Sequence, residues 1–175
     1  LASGDEGGRT EYKLITGQLE RGMETLCAFL NGEGGTVLFG VADNGKITGQ
    51  EVSDKTKREI AEAIRLFEPF ATITVSYANI PDTDKQVIAL YAEEQRYMRP
   101  FTYKGRAYQR IESVTSVMPQ DKYNHLLMQR GGKYSWEAIP NPDLQISDLD
   151  ENVIIGAVRA GINCGRLPET TIREE

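Results

Sequence analysis

The chain has 175 residues, with 20 Lys and Arg against 26 Asp and Glu, a net charge of −6 and a pI near 5.0; 39% of its residues are hydrophobic and 26% charged. That balance is ordinary for a globular fold and excludes a disordered chain, a collagen-like repeat and a disulfide scaffold. No apolar run approaches the roughly 18 residues needed to span a bilayer, and the first residues, Leu1 to Glu6, have neither the basic nor the apolar part of a leader. The expectation is a cytoplasmic protein with no membrane contact.

Residues 20–31 place Met23, Leu26, Cys27 and Leu30 at the spacing of a core-facing helix, and Asn31-Gly32 ends it. Thr36 to Ala42 is β-branched and almost wholly apolar, which predicts a central strand buried on both faces. Asp43-Asn44-Gly45-Lys46 supplies a tight turn, with Lys46 to Gly49 returning as a short strand. A second helix follows, with Thr56 and Glu59 as a capping box, Ile60, Ile64 and Phe67 on one face, and Pro69 as its stop.

Thr72 to Asn79 and Gln86 to Ala92, separated by Pro81-Asp82-Thr83-Asp84, read as a hairpin. Tyr103 to Arg106 reads as another, leading into a strand at Ala107 to Ile111, and Pro119 to Arg130 as a helix with proline in its first turn. After Gly131-Gly132 the character changes. Ile139-Pro140-Asn141-Pro142 is a stiff connector, and Ser147 to Ala160 a helix capped through Asp148 and Glu151 and stopped by Gly161. Leu167-Pro168-Glu169 opens an element that the chain leaves unfinished, as a truncated module would. The expected division is a main domain over residues 1–133 and a linker with a helical extension over 134–175.

Charge is unevenly spread along this plan. Residues 137–175 hold eight acids and three bases, so the tail is a poor reader of nucleic acid and the main domain is near neutral. Within that domain, residues 95–111 carry Arg96, Arg99, Lys104, Arg106 and Arg110 with no acid, interleaved with Tyr97, Phe101, Tyr103 and Tyr108. Cations neutralise phosphates and aromatic rings stack on unpaired bases, so this segment is the candidate nucleic-acid surface, with Arg110 first, then Arg106, Lys104 and Arg99, and Tyr108 beside them. The alternative is a solvated hairpin with its arginines in surface ion pairs.

Other chemistry is poorly supplied. Cys27 and Cys164 stand far apart, and the single histidine, His125, cannot complete a tetrahedral zinc set with them. Both cysteines are expected as reduced packing residues. There is no G-x-x-x-x-G-K-[ST], and the cluster Gly32-Glu33-Gly34-Gly35 precedes a strand instead of opening a helix, which argues against ATP hydrolysis. Gly34-Gly35 lets the backbone turn tightly and approach a neighbour or an anion.

Three blocks occur in order: Glu6-Gly7-Gly8-Arg9-Thr10-Glu11-Tyr12-Lys13, then Ala28-Phe29-Leu30-Asn31-Gly32-Glu33-Gly34-Gly35, then a strand ending Gly40-Val41-Ala42-Asp43 with Gly45-Lys46-Ile47-Thr48-Gly49. With Gly105-Arg106-Ala107-Tyr108-Gln109-Arg110 further on, they resemble the AlbA-like domain of the Schlafen superfamily over roughly residues 4–130, with Gly7 standing where the pattern has Ser. The resemblance implies a mixed α/β (α+β) fold, with a twisted sheet of about six strands and two or three packed helices. In bacterial family members, which are called transcriptional regulators, a winged-helix or helix-turn-helix module often follows this part, so the tail is expected either to begin such a module or to serve as a linker or an element packed against the domain or a neighbour.

The function this implies is nucleic-acid binding through the basic aromatic hairpin, strengthened by a homodimer and needing no cofactor. In nuclease members of the family the acids at these motif positions form the active site. The enzymatic alternative is therefore a metal-dependent endonuclease with Glu6, Glu11 and Asp43 holding Mg²⁺ or Mn²⁺ and Lys13 adjacent. A further alternative is a non-catalytic oligomerisation scaffold.

Overall fold

The computed structural model describes residues 8–133 and 145–168. Glu6, the Ile139–Pro142 connector and everything from Glu169 onward lie outside the described residues. Two compact units result, Leu1–Ser135 and Trp136–Glu175.

In chain order the first unit contains β1 (Thr10–Lys13), α1 (Leu19–Leu30) behind a 3-10 turn at Thr16–Gln18, β2 (Gly35–Phe39), α2 (Asp54–Ile64), β3 (Phe67–Glu68), β4 (Ile73–Asn79) and β5 (Gln86–Ala92). β6 (Thr102–Tyr103), β7 (Tyr108–Ile111), β8 (Val114–Val117) and α3 (Gln120–Lys133) complete it. The architecture is mixed α+β. One four-stranded sheet has the order β1-β2-β5-β4, with β1 parallel to β2 and the other neighbours antiparallel. The remaining strands form two ribbons, β3 with β6 and β7 with β8.

The stripe predicted on α1 is the one the fold buries: Met23, Leu26, Cys27 and Leu30 have no exposed surface, and neither do Val37 and Phe39 of β2 or Ile88 and Leu90 of β5. Burying side chains of this size contributes about 1.5–3 kcal/mol each. Close approach of helix and sheet depends on Gly22, where an added Cβ would lie 2.5 Å from Phe39 Cζ. β2 is not buried on both faces. α1 covers only one, and Leu38 is half-buried on the other, in register with Ala89 of β5, itself opposite Ser76 of β4.

Several local expectations shift by a few residues, each for a hydrogen-bonding reason. The cap of α2 is Ser53, whose Oγ accepts from the Thr56 amide at 3.2 Å while Thr56 Oγ1 accepts from the Ser53 amide at 3.3 Å. Thr56 is thus the inner partner of the box and not its start. Phe67 lies beyond that helix in β3, its ring centroid 5.1 Å from that of Tyr103. The Asn44-Gly45 turn forms, with Asn44 Oδ1 accepting from the Lys46 amide at 3.0 Å, but its return is a single bridge between Val41 and Ile47 instead of a strand.

In the second unit, α4 (Glu151–Asn163) is capped by Asp150, which accepts from the amides of Asn152 and Val153. Asp148 instead closes its own 3-10 turn by accepting from the Gln145 amide at 2.9 Å. Gly161 lies inside that helix, and the left-handed glycine past its end is Gly165. Among the described residues, no helix is long and apolar enough to cross a membrane.

Asn31 does more than end α1. Its side chain is buried and replaces a strand neighbour: Oδ1 accepts from the Phe101 amide at 2.7 Å, and Nδ2 donates to the carbonyls of Phe101 at 2.9 Å and Tyr108 at 3.0 Å. One amide therefore satisfies the backbone of two segments about seventy residues downstream. Asn31→Ala leaves those buried groups unpaired and is expected to cost about 3 kcal/mol, read as a lower midpoint in urea unfolding. A loss below about 1 kcal/mol would mean that water takes over the bonds.

Cys27 is a packing thiol, as expected. Its Sγ donates to the Phe101 carbonyl at 3.4 Å, and burial pushes its pKa up to about 12. The thiolate is the reactive form, so native protein in mildly alkaline buffer is expected to label at the exposed Cys164 alone, with Cys27 reacting only after denaturation. Mass mapping of the alkylated peptides checks this, and rapid labelling of Cys27 in the native state would contradict it.

Candidate nucleic-acid interface

The parallel register of β1 and β2 sets Glu11 beside Val37 and Lys13 beside Phe39, so both charged side chains share the face that α1 covers. Charges placed there require partners. Glu11 Oε1 contacts Lys13 Nζ, and its Oε2 lies 2.8 Å from Arg110 Nη2 on β7. The Arg110 side chain is 5% exposed, its guanidinium carbon sits 5.2 Å from the Phe29 ring centroid, and its Nη1 donates to Thr115 Oγ1 at 3.1 Å. Glu11 is thus shared by two cations, and a divalent metal would compete with both for its oxygens.

Asp43, by contrast, is an exposed residue of the turn after β2. Among the described residues, no three side chains of ligating type lie together as a metal site would require.

The acid-free segment acquires its acids from elsewhere in the fold. Glu94, just before it, bonds Arg96 at 2.6 Å and Arg99 at 3.0 Å, and the Arg96 guanidinium beside it holds its carboxyl below the usual carboxylate range. Glu20 of α1 meets Lys104 Nζ at 2.6 Å and accepts from the Tyr103 hydroxyl at 3.3 Å. Glu24, one turn on, accepts from the Tyr108 hydroxyl at 3.0 Å. Burial, reinforced by that carboxylate, pushes the Tyr108 phenol up to about 12. Tyr103 and Tyr108 are consequently anchored, buried rings with no face open for a base.

The tip of the segment stays available. Lys104 at φ 50 and Gly105 at φ 73 form a tight turn closed by paired bonds between Tyr103 and Arg106, at 2.8 and 3.0 Å. Lys104, Gly105 and Arg106 are exposed, and Arg106 makes no ion pair among the described residues. Of the sequence candidates, the fold therefore brings Glu11, Lys13 and Arg110 into one buried cluster. It separates them from the exposed Lys104 and Arg106, and it engages Arg99 with Glu94.

The double glycine is explained by its neighbours. Gly34 has φ 77, and a Cβ there would stand 2.6 Å from the Ala92 carbonyl oxygen; at Gly35 it would stand 2.7 Å from that of Arg9. The loop before them is held from two sides, Arg99 Nη2 donating to the Gly32 carbonyl and Arg9 Nη2 to that of Glu33 at 2.7 Å. A cavity of about 330 Å³ beside it is lined by Arg9, Asn31, Gly34, Arg110, Glu112 and Lys122.

Arg9 and Lys122 escaped the sequence reading. Lys122 is one cation on a polar helix, with no local signal that α3 carries it to Gln109, whose Oε1 it reaches at 2.8 Å. Arg9 stands inside the first motif, and a search for anion partners of the glycine loop would have found it.

Comparison with known proteins adds to this geometry. No curated protein matches the chain. Among solved structures, the fold is similar to that of the DIP2311 protein from Corynebacterium diphtheriae, with a TM-score of 0.50 and 12% identity over 92% of this chain and 35% of that one. The chain spans about a third of that protein's length, and at this identity the likeness concerns the fold alone. The model of the Schlafen, AlbA_2 family matches residues 6–119, which include β1 with Glu11, the glycine loop, the Asp43 turn and the basic segment through Arg110. The chain belongs to the Schlafen, AlbA_2 family.

Proposed function

We propose that this chain is the nucleic-acid-binding part of a bacterial transcriptional regulator, gripping the phosphate backbone with the tip formed by Lys104 and Arg106. The observation that carries the reading is the exposed Arg106, a cation without an acidic partner among the described residues, at the tip of a turn within the family domain. Phosphate neutralisation by exposed cations is the sequence-independent part of nucleic-acid affinity. Arg110 and Tyr108, bound to Glu11 and Glu24, serve as positioning residues that fix the strand behind the tip. Dimerisation would double the number of tips on one strand of nucleic acid and raise avidity accordingly.

Arg106→Glu combined with Lys104→Gln is expected to weaken binding of DNA or RNA at low salt at least tenfold, and to flatten the slope of log affinity against log salt by roughly one or two. The thermal midpoint should hardly move, because both side chains are exposed. Unchanged affinity in fluorescence anisotropy would reject the tip as the contact.

The endonuclease reading asks Glu11 to give Mg²⁺ or Mn²⁺ an oxygen now engaged by Lys13 or Arg110, and Glu6 and Asp43 to join it. On the binding reading, labelled RNA and DNA incubated with Mn²⁺ or with EDTA remain intact on denaturing gels. Products that require Mn²⁺ and disappear in Asp43→Asn would replace the binding reading with the enzymatic one.

A further inference from the structure

α3 carries a second group of cations to the segment before the tip. Arg96, Arg99, Leu126, Gln129 and Arg130 line a cavity of about 150 Å³, separate from the turn at Lys104 and Arg106. Glu94 pairs with Arg96 and Arg99, and the Glu33 carboxylate adds a second negative charge near both, while Arg130 makes no ion pair among the described residues. The local balance is thus three cations against two carboxylates.

Arg99 is the inner wall: its side chain is 18% exposed, and its Nη2 is committed to the Gly32 carbonyl and Glu94. Its Nε is buried without a hydrogen-bond partner. A buried donor left in this condition is destabilising until an acceptor reaches it. Glu94, whose carboxylate supplies the acceptor for its Nη2, does not satisfy this nitrogen.

We propose that this arginine pocket binds one dianionic phosphate group, the terminal phosphate of a nucleic-acid strand. The assignment rests on the nucleic-acid reading above and names which part of the strand the site takes. Size admits a small group: a cavity of about 150 Å³ has room for a phosphate and some of its water. The number of donors supports an end over an interior position. An internal phosphodiester has two free oxygens, whereas a phosphomonoester offers three acceptor oxygens, one for each of the three guanidiniums. Planar guanidiniums meet such oxygens with paired N–H donors, and the Gln129 side chain adds an amide at the rim. The same chemistry would accept a free phosphate or a small phosphomonoester, so the test separates these sources.

The full chain is titrated with a short, internally labelled single strand bearing a 5′-phosphate, a 3′-phosphate or hydroxyls at both ends. At least one phosphorylated end is expected to bind about tenfold more tightly than the hydroxyl strand, equivalent to about 1.4 kcal/mol. Arg130→Gln and Arg96→Gln are expected to erase that preference while leaving binding of the hydroxyl strand and the thermal midpoint in place. Equal affinity for all three strands, or a preference that survives Arg130→Gln, overturns the proposal while the tip reading stands. If no strand binds at low salt, the nucleic-acid reading falls and inorganic phosphate decides the pocket. A thermal stabilisation by phosphate over chloride at equal ionic strength, lost in Arg130→Gln, supports a site for free phosphate groups, and its absence overturns the site.

Discussion

The first unit depends on a single side-chain amide. Asn31 ends α1 and at the same time acts as backbone for Phe101 and Tyr108, so the segment carrying the basic turn is registered against the helix by three hydrogen bonds. Around it the remaining constraints fall into place. Phe101 has no exposed surface, Cys27 one turn earlier donates to the same carbonyl, and the glycine loop leaves Asn31 along a path fixed by the Ala92 carbonyl. Because the amide offers both a donor and an acceptor in one plane, neither Asp nor Leu of similar size could satisfy all three groups. Helix, loop and basic segment are in this sense one object.

Electrostatics form the second layer. Three carboxylates from regions remote in sequence, Glu11, Glu20 and Glu24, hold Arg110, Lys104 and the tyrosines of the basic segment, so the charge run acts partly as internal cement. The Glu11 pair is almost fully removed from water, and there the desolvation of each ion opposes the attraction between them. Its value to the fold lies in specificity: breaking one side strands a buried charge on the other. What remains for a ligand is the exposed tip at Lys104 and Arg106, and the arginine pocket.

Much of this was legible in the sequence. Periodicity gave α1 and the β4-β5 hairpin, because apolar spacing and turn residues report directly on burial and backbone geometry, and the motif blocks pointed to the family. The pairing of the basic segment was not legible, since its acids lie nearly a hundred residues away, as Glu11 does from Arg110, or just outside the acid-free stretch. Local chemistry likewise misplaced the caps of α2 and α4, where Ser53 and Asp150 compete with equally suitable neighbours for the same amides. The burial of β2 was overestimated because an apolar run does not say how many layers will cover it. Arg130 had no sequence signal at all, and only the packing of α3 joins it to Arg96 and Arg99.

The turn at the tip sets backbone preference against charge. Lys104 occupies a left-handed conformation that costs a residue with a Cβ about 1 kcal/mol, where Asn or Gly would be relaxed. A substitution chosen to stiffen this hairpin would thus also strip away a cation that Glu20 holds at the surface. Selection for thermal robustness and selection for an electropositive tip therefore pull this position towards different amino acids, and lysine is the choice that favours the second.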